Sequence, residues 1–90
     1  MNVKITFYFG LRDLFGEKGN GIELQGEATI RKLLRLLCDS DERRHSLYND
    51  ESGELNPLIS LLKNGQFTRQ LDTRLNDGDW IDIFPVLGGG

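Results

Sequence analysis

The 90-residue chain has the size of one domain, because chains divide into several only at roughly 250–300 residues, and no second catalytic domain is expected within it. Hydrophobic residues at 38% and charged residues at 28% give a globular composition. Eleven Lys+Arg against fourteen Asp+Glu leave a net charge of -3 with no basic run, which argues against nucleic acid as the main partner. Cys38 is the single cysteine and can form no internal disulfide, the first residues lack the zones of a signal peptide, and no stretch nears the roughly 20 apolar residues of a membrane span. A soluble, reducing, cytoplasmic setting without membrane contact is expected.

Along residues 3–9, Val3, Ile5, Phe7 and Phe9 alternate with Lys4, Thr6 and Tyr8, which predicts a half-buried first strand with those four apolar residues facing inward. Gly10 breaks the alternation, and Leu11, Leu14 and Phe15 suit a short turn packed under the sheet. Residues 17–21 read as loop, after which Ile22 to Leu24 can return antiparallel to the first strand. Thr29 is a candidate N-cap, and Ile30, Leu33, Leu34 and Leu37 recur at helical spacing, predicting one amphipathic helix over about 30–39. Its other face carries Arg31, Lys32 and Arg35, read as solvated, with contact to an acidic partner surface as the alternative.

Residues 39–57 are polar and read as a long surface connection, with at most a helical turn around Leu47 and Tyr48, on which function is not expected to depend. Leu58 to Lys63 is a short apolar strand ending at Asn64-Gly65, a strong hairpin signal, with Gln66-Phe67-Thr68 as the return arm. After turn-rich residues 72–79, Trp80 to Phe84 form the last strand, with Ile81 and Ile83 inward and Trp80, Asp82 and Phe84 on the opposite side. The whole is a single α+β domain over residues 1–90, a mixed sheet of four to five strands on one main helix.

Candidates for chemistry are few. His45 reads as a solvated loop residue, and one His with one Cys cannot assemble the usual zinc ligand set, so no metal site is expected. Cys38 reads as a half-buried thiol packed at the helix end rather than a nucleophile, since no dedicated base accompanies it. Asp39, Asp41 and Glu42 read as solubilising charge, and the glycines at 10, 16, 19 and 21 lack the spacing of a phosphate loop. What remains is the end of the chain, where Pro85 closes the last strand and Gly88, Gly89 and Gly90 impose no side-chain width. Residues 85–90 are expected to form an extended tail, and six residues after Phe84 reach about 20 Å, enough to enter a narrow active site of another protein.

The segment LDTRLNDGDWIDIFPVLGGG resembles the C-terminal signature of the MoaD/ThiS family of ubiquitin-like sulfur carriers, especially the molybdopterin synthase small subunit. VKITFYFGLRDLFG resembles the family's first strand and turn, ATIRKLLRLL its helix, and LISLLKNGQ its strand ending in Asn-Gly. The matched terminal pattern is Phe84-Pro85, three residues, then Gly89-Gly90, with Gly88 where a small residue is usual. Two departures stand out: Val86 replaces a second proline found in many relatives, and the 39–57 connection is longer than in the shortest members.

The resemblance implies a β-grasp fold and chemistry at the α-carboxylate of Gly90, with no catalytic side chain and no bound cofactor in the carrier. A ubiquitin-activating-enzyme-like adenylyltransferase would use ATP to form an acyl-adenylate on Gly90, and a sulfurtransferase donor would replace AMP to leave a thiocarboxylate. In the molybdopterin branch that sulfur would pass to a pterin precursor inside the large subunit of molybdopterin synthase. Other outcomes of the same activation are a modifier joined through Gly90 to target lysines, or a carrier serving thiamine, cysteine or another sulfur metabolite; an interaction domain with an inert tail is the remaining alternative. Ordering three glycines costs about 3–6 kcal/mol, so the body must help anchor any complex. Trp80 and Phe84, with Leu62 from the neighbouring strand and Pro85 at the strand end, are the expected partner-binding residues, unless that face is covered within the monomer.

Overall fold

The computed structural model describes residues 1–16, 21–49 and 51–85. Alternation organises the first strand as expected: in β1 (Asn2–Phe7) Val3, Ile5 and Phe7 are buried and their neighbours point outward. Phe9 departs from that pattern. The strand stops after Phe7, Tyr8 N–H still bonds the Ile83 carbonyl (3.1 Å), and Phe9 then takes a left-handed φ of 55°, turning its side chain outward to 59% exposure. The inward position is filled by Phe15, which stacks on Phe7 with ring centroids 4.1 Å apart. Phe15 closes α1 (Gly10–Phe15), the short turn under the sheet, where Leu11 is also buried.

β2 (Ile22–Glu23) pairs antiparallel with β1 through Val3 opposite Ile22. The four apolar residues at helical spacing in α2 (Ile30–Leu37) are all buried, as the periodicity predicts. The amides of its first three residues are satisfied: Lys32 N–H bonds Thr29 Oγ1 (3.2 Å), Ile30 N–H the Thr73 carbonyl (3.1 Å) and Arg31 N–H the Leu71 carbonyl (2.7 Å). The segment before the last strand is thereby tied to the helix, and Leu71 and Leu75 enter the core from it.

The connection over 39–57, read as surface loop with a helical turn around Leu47 and Tyr48, holds a full short helix instead, placed earlier in the segment. Residues Asp41–Leu47 form α3, which Ser40 caps by accepting from Arg43 N–H at 3.2 Å. Asp41 and Glu42 sit in the first turn and Arg44 and His45 in the last, the distribution that complements the helix dipole. Only one of its seven residues, Leu47, is buried, so no apolar stripe announces the helix; Leu47 itself is 0% exposed. Arg43 joins α3 to α1, its Nε bonding the Leu14 carbonyl (3.0 Å) with the guanidinium 5.7 Å from the Phe15 ring centroid.

β3 (Ile59–Lys63) and β4 (Gln66–Phe67) form the predicted hairpin, with Asn64 at φ 51° and Gly65 at φ 84° as its two turn residues. β5 (Trp80–Pro85) lies at the centre of a five-stranded sheet of order β2-β1-β5-β3-β4, parallel to β1 and antiparallel to β3. It runs one residue further than predicted: Pro85 is the last strand residue, in register with Ile59. A proline is tolerated there because it ends the ladder. Ile81 and Ile83 are fully buried beside Leu61 under the helices. This mixed sheet grasping α2 is the ubiquitin-like β-grasp, an α+β fold.

Candidate functional site

Strand periodicity gives the sheet a second face, turned away from α2. In β5 the outward row is Trp80, Asp82 and Phe84, flanked in register by Lys4 and Thr6 of β1 and by Leu62 and Ser60 of β3. Leu62 lies opposite Phe67 of β4, so the hairpin carries the row to the sheet edge. Trp80 is 47% exposed and Phe67 is 77% exposed, while Leu62, Phe84 and Pro85 are half-buried. The expected partner-binding residues Trp80, Leu62 and Phe84 are thus brought to one face, with Pro85 at its end.

Phe84 is partly covered within the chain. Tyr8 stacks on it at 4.3 Å between ring centroids and donates its hydroxyl to Asp82 Oδ1 at 3.0 Å. Hydrogen bonding to the Asp82 carboxylate, with burial and that negative charge adding, raises the Tyr8 phenol above its ordinary value. Phe67 was missed by the sequence reading, although its signal was present. A two-residue turn at 64–65 places Lys63 opposite Gln66 and Leu62 opposite Phe67, so the outward side of Leu62 is also the outward side of Phe67.

A side-chain clamp holds this face in register. Asn64 donates from Nδ2 to Asp79 Oδ1 (2.9 Å) and accepts at Oδ1 from Trp80 N–H (2.9 Å). Asp79 Oδ2 accepts from Asn76 N–H (2.8 Å) and lies 3.6 Å from Lys63 Nζ. Burial pushes the Asp79 carboxyl up, but the bonds from Asn64 and Asn76 and the Lys63 ammonium outweigh it and hold it below the ordinary carboxylate value.

The rest of the body offers little chemistry. Among the described residues no group of three His, Cys, Asp or Glu is placed to hold a metal. Burial, reinforced by Asp39, pushes the half-buried Cys38 thiol up to about 11 against the opposing Arg43 and Arg44 charges, so it stays protonated near neutrality. His45 is exposed on α3, away from the outer sheet face. No helix among the described residues is long and apolar enough to cross a membrane. Gly88, Gly89 and Gly90, the expected reactive tail, lie outside the described residues, as do residues 17–20 of the predicted loop.

The ThiS family profile matches residues 5–90. Small archaeal modifier protein 3 of Haloferax volcanii is 33% identical over 94 residues spanning the whole of both chains. The solution structure of the Haloferax volcanii HVO 2177 protein superposes with a TM-score of 0.82 at 30% identity, covering all of this chain and 87% of that one. The crystal structure of SAMP1 from the same organism gives 0.80 at 25% identity over the whole of both chains. A profile match over nearly the full length, a relative similar from end to end and a shared β-grasp together establish that the chain belongs to the ThiS/MoaD family of ubiquitin-like sulfur carriers and small modifiers.

Proposed function

We propose that the reactive group of this protein is the α-carboxylate of Gly90 and that the folded body serves to deliver it. An adenylyltransferase related to ubiquitin-activating enzymes joins the carboxylate to the α-phosphate of ATP with release of pyrophosphate. A sulfur nucleophile supplied by a sulfurtransferase then adds to the acyl carbon, the bond to AMP breaks, and a thiocarboxylate remains. Activation is required because a carboxylate is a poor electrophile until its oxygen becomes part of a leaving group.

The observation that carries this reading is the position of β5. The central strand ends at Pro85, five residues before Gly90, directly beside an outward apolar row of Trp80, Leu62, Phe67 and Phe84. Five extended residues span about 16 Å, so a partner that docks on this row has Gly90 within reach of an internal active site. Burial keeps the Cys38 thiol protonated near neutrality, which favours the tail over that thiol as the reacting group.

For the fate of the activated Gly90 carboxyl group, the first reading is transfer of its sulfur to a pterin precursor in the large subunit of molybdopterin synthase, supported by the pattern Phe84-Pro85 and Gly89-Gly90. The second is conjugation to target lysines, favoured by the full-length likeness to a protein named as a small archaeal modifier. Intact mass after incubation with the activating enzyme, ATP and a sulfur donor tests the shared step. Wild type is expected to gain the difference between sulfur and oxygen and a variant lacking Gly90 to gain nothing; an equal gain in both refutes chemistry at Gly90. Lysines carrying residues 75–90 after trypsin, which cuts last at Arg74, identify the modifier, and sulfur lost on mixing with the large subunit and pterin precursor identifies the synthase subunit.

A further inference from the structure

On the helical side, away from the apolar sheet face, α2 and α3 enclose a groove of about 410 Å³ lined by Arg31, Arg35, Cys38, Arg44 and Tyr48. Helical spacing builds it. Arg31, Arg35 and Cys38 form one stripe of α2, flanking the side that Ile30, Leu33, Leu34 and Leu37 bury, while Arg44 and the C-cap Tyr48 form a stripe of α3.

The three guanidinium groups differ in what already holds them. Arg31 is engaged by the fold, its Nε bonding Asp72 Oδ1 (3.0 Å) and its Nη1 the Gly53 carbonyl (2.8 Å). Among the described residues Arg44 pairs with Asp41 alone, at 3.0 Å, in a pair exposed on both sides and therefore weak. Arg35 is exposed and makes no ion pair or side-chain hydrogen bond among the described residues. The floor adds no negative charge near neutrality: burial pushes the Tyr48 phenol up to about 12, and Cys38 stays a thiol. Asp72 and Glu54 act on Arg31, and Asp41 pairs with Arg44, so Arg35 is the lining guanidinium without an ion pair among the described residues, with the weakly held Arg44 beside the same half-apolar floor.

We propose that this groove is a docking site for an acidic peptide segment of a partner protein, with a carboxylate received between Arg35 and Arg44 over the Tyr48 ring. Charge complementarity selects an anion, since two guanidinium forks match carboxylate geometry. The same forks also match phosphate, so the lining decides between the two: the N–H groups of Asn49 and Gly53 on the rim already bond the Glu54 and Asn49 carbonyls, each at 2.8 Å, and add no donors for a compact oxyanion. The half-buried Tyr48 and Cys38 instead offer apolar surface to peptide side chains. Because the groove lies opposite the outer sheet face, an acidic segment here and an enzyme docked on Trp80 can be held together. The inference does not rest on the chemistry of Gly90.

The test is an amide-shift titration of the ¹⁵N-labelled full chain with an acetylated, amidated pentaglutamate peptide, at about 0.1 M salt so that unlocalised attraction is screened. Saturable shifts are expected at Arg35, Cys38, Arg44 and Tyr48. The R35Q/R44Q double variant should weaken binding by about tenfold or more, whereas K32Q on the same helix leaves it unchanged. Both arginines are exposed, so the fold should persist; a pentaglutamine peptide, which should not bind, gives the same comparison without altering the protein. Shifts spread over all basic residues, pentaglutamine binding equally, an unaffected double variant, or inorganic phosphate saturating the same amides at the same concentration would each overturn the proposal.

Discussion

Asn64→Ala is the substitution that most directly tests how the outer face is held. The side chain makes two bonds, one to the charged Asp79 carboxylate and one to the Trp80 amide, and its backbone sits at φ 51°. The bond to Asp79 lies in a partly buried cluster and contributes about 2 kcal/mol, as hydrogen bonds to charged groups do. Water can replace the exposed bond to Trp80, which leaves about 0.5 kcal/mol, and an alanine in the left-handed region costs about 1 kcal/mol more. The expected destabilisation is about 3–4 kcal/mol, a fall in Tm of roughly 12–32 °C for a domain of this size. Asn64→Gly removes the same bonds without the conformational strain and should lose about 1 kcal/mol less. Urea unfolding followed by far-UV circular dichroism measures both. A loss under 1 kcal/mol for alanine, or a larger loss for glycine, would refute the clamp. The same cluster has a pH signature. Asp79 is held below its unfolded value of 3.8, so its contribution is complete above that pH and disappears as the pH falls through the lower folded value. Asn64→Ala should flatten that acid limb.

Two further outcomes are expected. Phe84→Asp removes the stack on Tyr8 and half-buried apolar area, costing about 1–2 kcal/mol of stability, and should weaken binding of the activating enzyme by about tenfold or more; unchanged binding by calorimetry would remove this face from the interface. Cys38, with its thiol pushed up to about 11, should react with a disulfide reagent at pH 8 at least about tenfold more slowly than free cysteine, the smaller thiolate fraction being partly offset by the greater nucleophilicity of a more basic thiolate, and a comparable rate would show the thiolate to be accessible.

The parts of the fold that repeat themselves were legible. Val3, Ile5 and Phe7, the four apolar residues of α2, and Ile81 with Ile83 each fill the side their period assigns. Asn64-Gly65 announced its turn because both residues tolerate positive φ. What stayed hidden depends on single residues or on partners distant in sequence. α3 has one inward residue and is fixed by a cap and by Arg43 reaching α1, so no periodicity marks it. Phe9 continues the alternation of β1 on paper, yet the chain turns at that residue and Phe15 takes the inward place. The outer face was half legible: the parity of β5 places Trp80 and Phe84, whereas Tyr8 covering Phe84 and Asp79 bonding Asn64 follow only once β1, β3 and β5 lie side by side.

On the proposed docking of a partner at Trp80, the exposed face is sized for an encounter that ends in release. If ordering three glycines costs about 3–6 kcal/mol, then about 120–240 Å² of buried apolar surface offsets it at about 25 cal/mol per Å². Aromatic side chains bury about 150–250 Å² each, so Trp80 at 47% exposure brings roughly 100 Å² and Phe67 at 77% roughly 150 Å² more. Trp80 alone would not offset that cost; with Phe67 the two do, so on the proposed docking the hairpin contributes by holding Phe67 opposite Leu62. Little is left against the further 4–15 kcal/mol that association itself costs, so stable complexes require additional contacts from the partner. A carrier that must leave one enzyme to reach the next needs this balance: a face large enough to order its tail and too small to hold the complex by itself.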